Sequence, residues 1–265
     1  MTASTHILTG DGVRIAYRFD GDPGLPVLVL SNSIATDLHM WDAQIAALSA
    51  HFRVLRYDAR GHGGSDAPAG AYSLDRLGRD VLELLDALGL QRVHFLGLSL
   101  GGFVGQWLAV HAPERIDRLV LSNTSSHLSP AAVFDQRIRE THAATDMRAI
   151  GERFLRDWFP ASMLAADDPR VAPFRAALQA QSADGLAGSF AAVRDADLRR
   201  TAALIVAPTL VIAGESDPVT LPEHGRLLAE TVPGARLLIL PAVHMANIEC
   251  ADAFERASIE FLSAD

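Results

Sequence analysis

Phe95-Leu96-Gly97-Leu98-Ser99-Leu100-Gly101-Gly102 constrains this chain more than any other stretch. It reads as a buried strand that stops abruptly, a serine on a tight turn, and the start of a helix. Gly97 and Gly101 leave room for Ser99 to take a strained conformation with its hydroxyl exposed. This is the G-x-S-x-G nucleophile-elbow pattern. The pattern alone is weak, but its flanks strengthen it. Residues 92–96 read as strand and residues 102–111 as helix, which makes Ser99 the candidate nucleophile.

The chain around this elbow alternates strand and helix patterns. Strands are expected at 13–19, 26–31, 52–58, 92–98, 118–123, 209–214 and 235–241, with a further short one at 6–9. Several are continuous apolar runs, such as Val27-Leu28-Val29-Leu30 and Leu210-Val211-Ile212. Continuous rather than alternating runs suit a parallel sheet covered on both faces. Helical spacing is expected at 42–50, 74–88, 100–111, 222–231 and 253–261; Leu77, Val81, Leu84, Leu85 and Leu88 mark one such face. The expected fold class is α/β: a mostly parallel central sheet with helices on both faces.

One region breaks the rhythm. Between 124 and 207 there is no convincing strand, only helical pieces near 131–141, 146–157, 169–181 and 186–194. The expected organisation is a core of 1–123 and 208–265 with an all-helical lid at 124–207. Such an insertion would cover the carboxyl edge of the sheet, where open α/β sheets bind ligands. A helical decoration without a role at the site is the alternative.

Composition limits what this chemistry can be. The formal net charge is −9, which disfavours nucleic acid and anionic membranes as partners. No apolar run is long enough to span a bilayer. Residues 1–6 show no basic segment followed by an apolar one, so no signal peptide is expected and a cytoplasmic location follows. Cys250 is the single cysteine, which excludes an internal disulfide. All 23 basic residues are arginine, which removes Schiff-base lysines and the lysine of a phosphate-binding loop. No H-E-x-x-H or G-x-G-x-x-G pattern occurs, so neither a metal nor an organic cofactor is expected. A homo-oligomer stays open.

A serine hydroxyl needs a base to take its proton and a carboxylate to hold that base in one tautomer. In this layout the chain order is serine, acid, histidine. His244 follows the last expected strand, at the same sheet edge as Ser99. Asp217 follows the 209–214 strand in Gly214-Glu215-Ser216-Asp217-Pro218 and is preferred to Glu215. The end of the 118–123 strand carries Ser122-Asn123, which cannot supply a carboxylate. An oxyanion hole needs two fixed N–H donors. Leu100, next to the nucleophile, supplies one; Ser33, or second to it Ile34, supplies the other. The Gly-rich run from Asp58 to Asp66 reads as a turn that buttresses the site.

These features resemble the α/β-hydrolase superfamily. Within it, Leu30-Ser31-Asn32-Ser33-Ile34-Ala35-Thr36-Asp37-Leu38-His39-Met40-Trp41, the run from Phe52 to Gly63, and Gly97-Leu98-Ser99-Leu100-Gly101-Gly102 are similar to the 3-oxoadipate enol-lactonases. Those enzymes often carry Leu-Gly where this chain has Ile34-Ala35. The resemblance implies hydrolysis of an enol-lactone to 3-oxoadipate, in aromatic-acid catabolism, without a cofactor. A cofactor-free perhydrolase, a haloperoxidase, a general carboxylesterase or a carbon–carbon bond hydrolase is the rival on the same scaffold, and a non-catalytic receptor the rival outside it. The implied substrate is a small anionic lactone, so a cation is needed in the pocket. Arg137 lies in a segment similar to the first lid helix of the enol-lactonases. Phe134, three residues before it, shares its helix face, and Trp158 would add an apolar wall. The alternative for Arg137 is a solvated surface arginine.

Overall fold

The computed structural model describes residues 5–264. The first four residues, part of the segment read for a signal peptide, lie outside the described residues. Eight strands form one sheet in the order β1-β2-β4-β3-β5-β6-β7-β8. They are β1 (Thr5–Leu8), β2 (Arg14–Asp20), β3 (Val27–Ser31), β4 (Arg53–Tyr57), β5 (Val93–Leu98), β6 (Ile116–Ser122), β7 (Thr209–Gly214) and β8 (Arg236–Leu240). β1 and β2 join antiparallel, as do β2 and β4. Every pairing from β4 through β8 is parallel. All residues of β5 and β7 are buried, His94 and Thr209 among otherwise non-polar residues, as strands covered on both faces require.

Helices connect the strands: α1 (Ile45–Leu48), α2 (Leu74–Ala87) and α3 (Leu100–His111) in the first half of the chain. α2 shows why the sequence folds this way. Ser73 caps it by accepting from the Arg76 N–H at 3.1 Å, and Leu77, Val81, Leu84 and Leu85 turn inward. Between β6 and β7 the chain forms α4 (Ala131–Ala143), α5 (Arg148–Trp158), α6 (Ala161–Ala165), α7 (Ala172–Ala180) and α8 (Ala183–Asp195), with no sheet strand. The remaining helices are α9 (Pro222–Thr231), α10 (Ala246–Glu249) and α11 (Ala251–Leu262).

Most expected elements appear within two residues of their expected ends. The segment expected as one helix at 42–50 differs: a 3-10 helix runs over Leu38–Gln44 and only α1 continues it. Its start is set by Asp37, whose carboxylate accepts from the His39 N–H at 2.9 Å. α6 and α10 are too short to leave a periodic signal.

The helical insertion is tied to the core at several points. Gln181 Nε2 donates to the Gly61 carbonyl at 2.6 Å, and the Tyr72 N–H to the Gly188 carbonyl at 3.1 Å. The Met245 N–H donates to the Trp158 carbonyl at 3.2 Å, which links the loop after β8 to the end of α5. Because β3 to β8 run parallel, the loops after β3, β5, β6, β7 and β8 all emerge at one edge. No helix among the described residues is long and apolar enough to cross a membrane.

Candidate active site

Ser99 sits at the elbow between β5 and α3 with φ 57° and ψ −112°. A positive φ costs a residue other than glycine of order 1–3 kcal/mol, so the surroundings must impose it. They do so through hydrogen bonds. The Ser99 N–H donates to the Ser122 carbonyl at 2.9 Å, and the Ser99 carbonyl accepts from Thr124 Oγ1 at 2.7 Å. The Gly101 N–H donates to the Asn32 carbonyl at 3.0 Å, joining the elbow to the loop after β3. A methyl group on Gly97 would lie 2.1 Å from the Gly101 carbonyl oxygen, and one on Gly101 2.1 Å from that of Ser31. Both glycines are therefore required by backbone approach.

Gly101→Ala is accordingly expected to destabilise the fold by about 1–3 kcal/mol or more, since backbone must move to admit the methyl. For a chain of roughly this size that is a fall of several degrees in melting temperature. An unchanged melting curve would contradict the close packing of the elbow on β3.

Asp217 and His244 meet above the ends of β7 and β8. His244 Nδ1 lies 2.8 Å from Asp217 Oδ2, and both side chains are fully buried. Asp217 Oδ2 also accepts from Thr220 Oγ1 at 2.7 Å and Asn123 Nδ2 at 3.0 Å. Its Oδ1 accepts from the N–H groups of Val219 and Thr220 at 2.8 and 3.0 Å. Burial alone would raise the pKa of this carboxyl. The charge and hydrogen bond of His244, then the Asn123 and Thr220 donors, outweigh burial and hold it down at about 2. An ionised Asp217 fixes the His244 proton on Nδ1 and leaves Nε2 as the base. His244 Nε2 is buried with no hydrogen-bond partner among the described residues, and His244 lines the same cavity as Ser99. This arrangement can take a proton from a serine hydroxyl. Glu215 is exposed, and its carboxylate makes no hydrogen bond to Ser99 or His244 among the described residues.

That cavity encloses about 290 Å³, at the small end of ligand pockets. Leu100 lines it, and its N–H makes no backbone bond among the described residues. On the opposite side the structure departs from the sequence reading. The Ser33 N–H is directed at Met40 Sδ, 3.3 Å away, and Ser33 is not in the cavity wall. Ile34 lines the cavity instead, and its N–H is free of partners among the described residues. Ser33 could serve an oxyanion only by giving up the thioether contact, whereas Ile34 has its N–H unengaged among the described residues.

The turn that carries these amides is held from below. Ala35 has φ 59°, and its N–H donates to His62 Nε2 at 2.9 Å. His62 Nδ1 in turn donates to the Arg60 carbonyl at 3.1 Å. These bonds define a neutral imidazole, consistent with burial pushing its pKa down to about 4. Asn32 bridges the same loop to β4 and the 3-10 helix, donating to the Tyr57 carbonyl and accepting from Trp41 Nε1, both at 2.9 Å. The Gly-rich run after β4 thus acts on the turn through His62.

Phe134, Arg137 and Trp158 all line the cavity. Phe134 and Trp158 are buried. Phe103, Phe154 and Phe190, which periodicity does not single out, add to the aromatic wall; the Phe154 and Phe190 rings stack at 6.1 Å with 4° between planes. The Arg137 guanidinium lies over the Phe134 and Phe190 rings at 5.8 and 5.7 Å. It makes no ion pair or hydrogen bond among the described residues. Burial, and then the nearby charge of Arg153, lower its pKa, against the opposing pull of Asp157 and Glu140. Asp157 also lines the cavity, whereas Glu140 is engaged by Arg153 at 2.8 Å.

Residues 26–251 match the family described as having the alpha/beta hydrolase fold. The chain is 36% identical over 250 residues to 3-oxoadipate enol-lactonase 2 of Acinetobacter baylyi, covering 94% of this chain and 93% of that protein. Among solved structures it is similar to a hydrolase from Pseudomonas aeruginosa, with 58% identity, a TM-score of 0.98 and 99% of each chain covered. It is also similar to the enol-lactonase from Burkholderia xenovorans LB400, with 40% identity and a TM-score of 0.95, covering 98% of this chain and all of that one.

Proposed function

This chain belongs to the α/β-hydrolase fold family, and from that premise we propose that it opens the ring ester of 3-oxoadipate enol-lactone to give 3-oxoadipate. Ser99 Oγ attacks the lactone carbonyl while His244 Nε2 takes its proton. The tetrahedral oxyanion rests on the Leu100 N–H and on an N–H of the Ser33–Ile34 turn. Collapse breaks the ring C–O bond and expels an enolate, a better leaving group than a simple alkoxide. The enolate takes up a proton and becomes the ketone. His244 then activates water, which cleaves the acyl–Ser99 ester and frees the second carboxylate. The helical insertion at 124–207 acts as the lid that carries the substrate-recognition residues.

The observation that carries the substrate class is Arg137. It is a half-buried guanidinium with no ion pair among the described residues, in a protein of net charge −9, facing the cavity of Ser99 and His244. Desolvating a cation without a partner is costly, and a bound carboxylate supplies the missing partner through two N–H donors. A neutral ester would leave it unmatched. The small volume and aromatic wall suit a five-membered ring with an acetate arm. The enol-lactonases among the similar proteins support the same substrate.

Arg137→Ala is expected to weaken kcat/KM for the acidic enol-lactone by roughly ten- to a hundredfold, corresponding to a charged hydrogen bond of about 1.5–3 kcal/mol. Hydrolysis of a small neutral aryl ester should change little. Equal losses on both substrates, or no loss on either, would contradict the carboxylate role and with it the acidic-lactone reading.

A further inference from the structure

We propose that Asn123 is a positioning residue, whose side-chain amide locks the Asp217 carboxylate and the loop bearing His244 into one geometry, and that the site needs a neutral donor there. The inference rests on the Ser99–His244–Asp217 reading. Asn123 directly follows β6, is buried and has φ 43°. Its Nδ2 donates both to Asp217 Oδ2 at 3.0 Å and to the carbonyl of Val243, the residue before His244, at 3.1 Å. Its Oδ1 accepts from Ser122 Oγ at 2.8 Å. The opposite amide orientation would face an oxygen toward two acceptors, so the NH₂ group must point this way.

One group therefore ties the acid to the chain segment that holds the base. The convergence is tight: a methyl on Gly214 would lie 2.2 Å from the Val243 carbonyl oxygen and 3.0 Å from Asn123 Nδ2. Asp217 Oδ2 is the atom bonded to His244, so a shift at Asn123 reaches the imidazole through a single shared oxygen. The position that cannot supply a carboxylate thus supplies the donor that an ionised carboxylate requires. An aspartate there would set two carboxyl oxygens about 3 Å apart, a distance at which two like charges share a proton. Other titratable groups touching this cluster are His244 itself and Glu249, which accepts from the Val243 N–H at 2.8 Å; beyond them, His224 interacts electrostatically with Glu223 and His127. His224 also feels Asp217.

The test is the pH dependence of hydrolysis of a neutral aryl ester by wild type, Asn123→Ala and Asn123→Asp, with thermal melts to confirm folding. Asn123→Ala should lower kcat by roughly ten- to a hundredfold with KM nearly unchanged, as expected for sub-ångström misplacement of a base. Asn123→Asp should be distinguished by its profile. While protonated, its carboxyl supplies one O–H in place of the two amide N–H donors, so it restores one of the two bonds and activity at acid pH should come partway back toward wild type. As pH rises and the second carboxyl ionises, the ratio to wild type should fall by about tenfold or more. A merely space-filling role leaves Asn123→Ala with wild-type kcat and KM. A flat Asn123→Asp ratio, or an Asn123→Ala variant with wild-type kcat, would overturn the proposal. If Asn123→Ala does not fold, the Asn123→Asp ratio decides alone, since that change preserves shape. Ser99→Ala separates the two readings: an inactive Ser99→Ala with a flat Asn123→Asp ratio removes the role of Asn123 only, whereas an active Ser99→Ala removes the triad beneath it.

Discussion

Ser99→Ala is expected to lower ester and lactone hydrolysis by about 10⁴–10⁶ while leaving the fold intact. The size of the effect follows from the site. Without Oγ the elbow offers no hydroxyl; the other hydroxyl among the described cavity-lining residues, that of Ser129, lies in the segment before α4. The structural cost should be small, because the bonds that hold the elbow use the backbone of Ser99 and not its hydroxyl. Alanine must still accept the positive φ, so a modest loss of stability accompanies the loss of turnover. A variant that retained a tenth of wild-type rate would remove Ser99 as nucleophile. Labelling of the wild type by a fluorophosphonate, absent in Ser99→Ala, reports the same assignment independently of substrate.

His244 and Asp217 should fail together with Ser99. His244→Ala is expected to be about as damaging as Ser99→Ala, and the double variant little worse than either, because the residues act as a unit. Asp217→Asn should cost about 10⁴ in kcat. The amide keeps the shape but removes the charge that fixes the His244 tautomer. It also turns one carboxylate oxygen, each of which accepts several donors, into an NH₂ group facing other donors. Some stability should be lost as well, with a definite sign. The folded carboxyl has a lowered pKa, about 2, so its ionised form stabilises the wild type above the unfolded value. That contribution is lost as pH falls through the interval between the unfolded value near 4 and about 2. The stability gap between wild type and Asp217→Asn should therefore narrow on acidification. Glu215→Gln, two residues away and exposed, should leave rate and stability nearly unchanged. A harmless Asp217→Asn with a damaging Glu215→Gln would reverse the choice of acid.

The sheet was legible in the sequence because buried parallel strands leave a local mark. β5 and β7 are buried at every position and each carries one polar side chain, His94 and Thr209. Ser99 and Asp217 stood out because each follows a buried strand, and His244 because it follows β8 at the same edge, where parallel strands bring their carboxyl ends together. What leaves no local mark depends on contacts between distant segments. Asn123 looked only like the absence of a carboxylate. Its partners are 94 and 120 residues away, and nothing local shows that one amide meets both. The Ser33 N–H meets a sulfur seven residues further on, a contact set by the 3-10 helix that replaced the start of an expected α-helix. The aromatic wall was half visible: Phe134 and Trp158 could be chosen, but Phe190 reaches the cavity only because α8 packs against α4.

Turnover of 3-oxoadipate enol-lactone, followed by the loss of its ultraviolet absorbance, tests the central claim most directly. Purified protein without added metal or cofactor should give kcat/KM within the ordinary enzymatic range of about 10⁴–10⁸ M⁻¹s⁻¹, well above its value for a neutral aryl ester. A lactone rate no faster than buffer, from protein that still hydrolyses the aryl ester, would contradict the lactonase account while leaving a serine esterase.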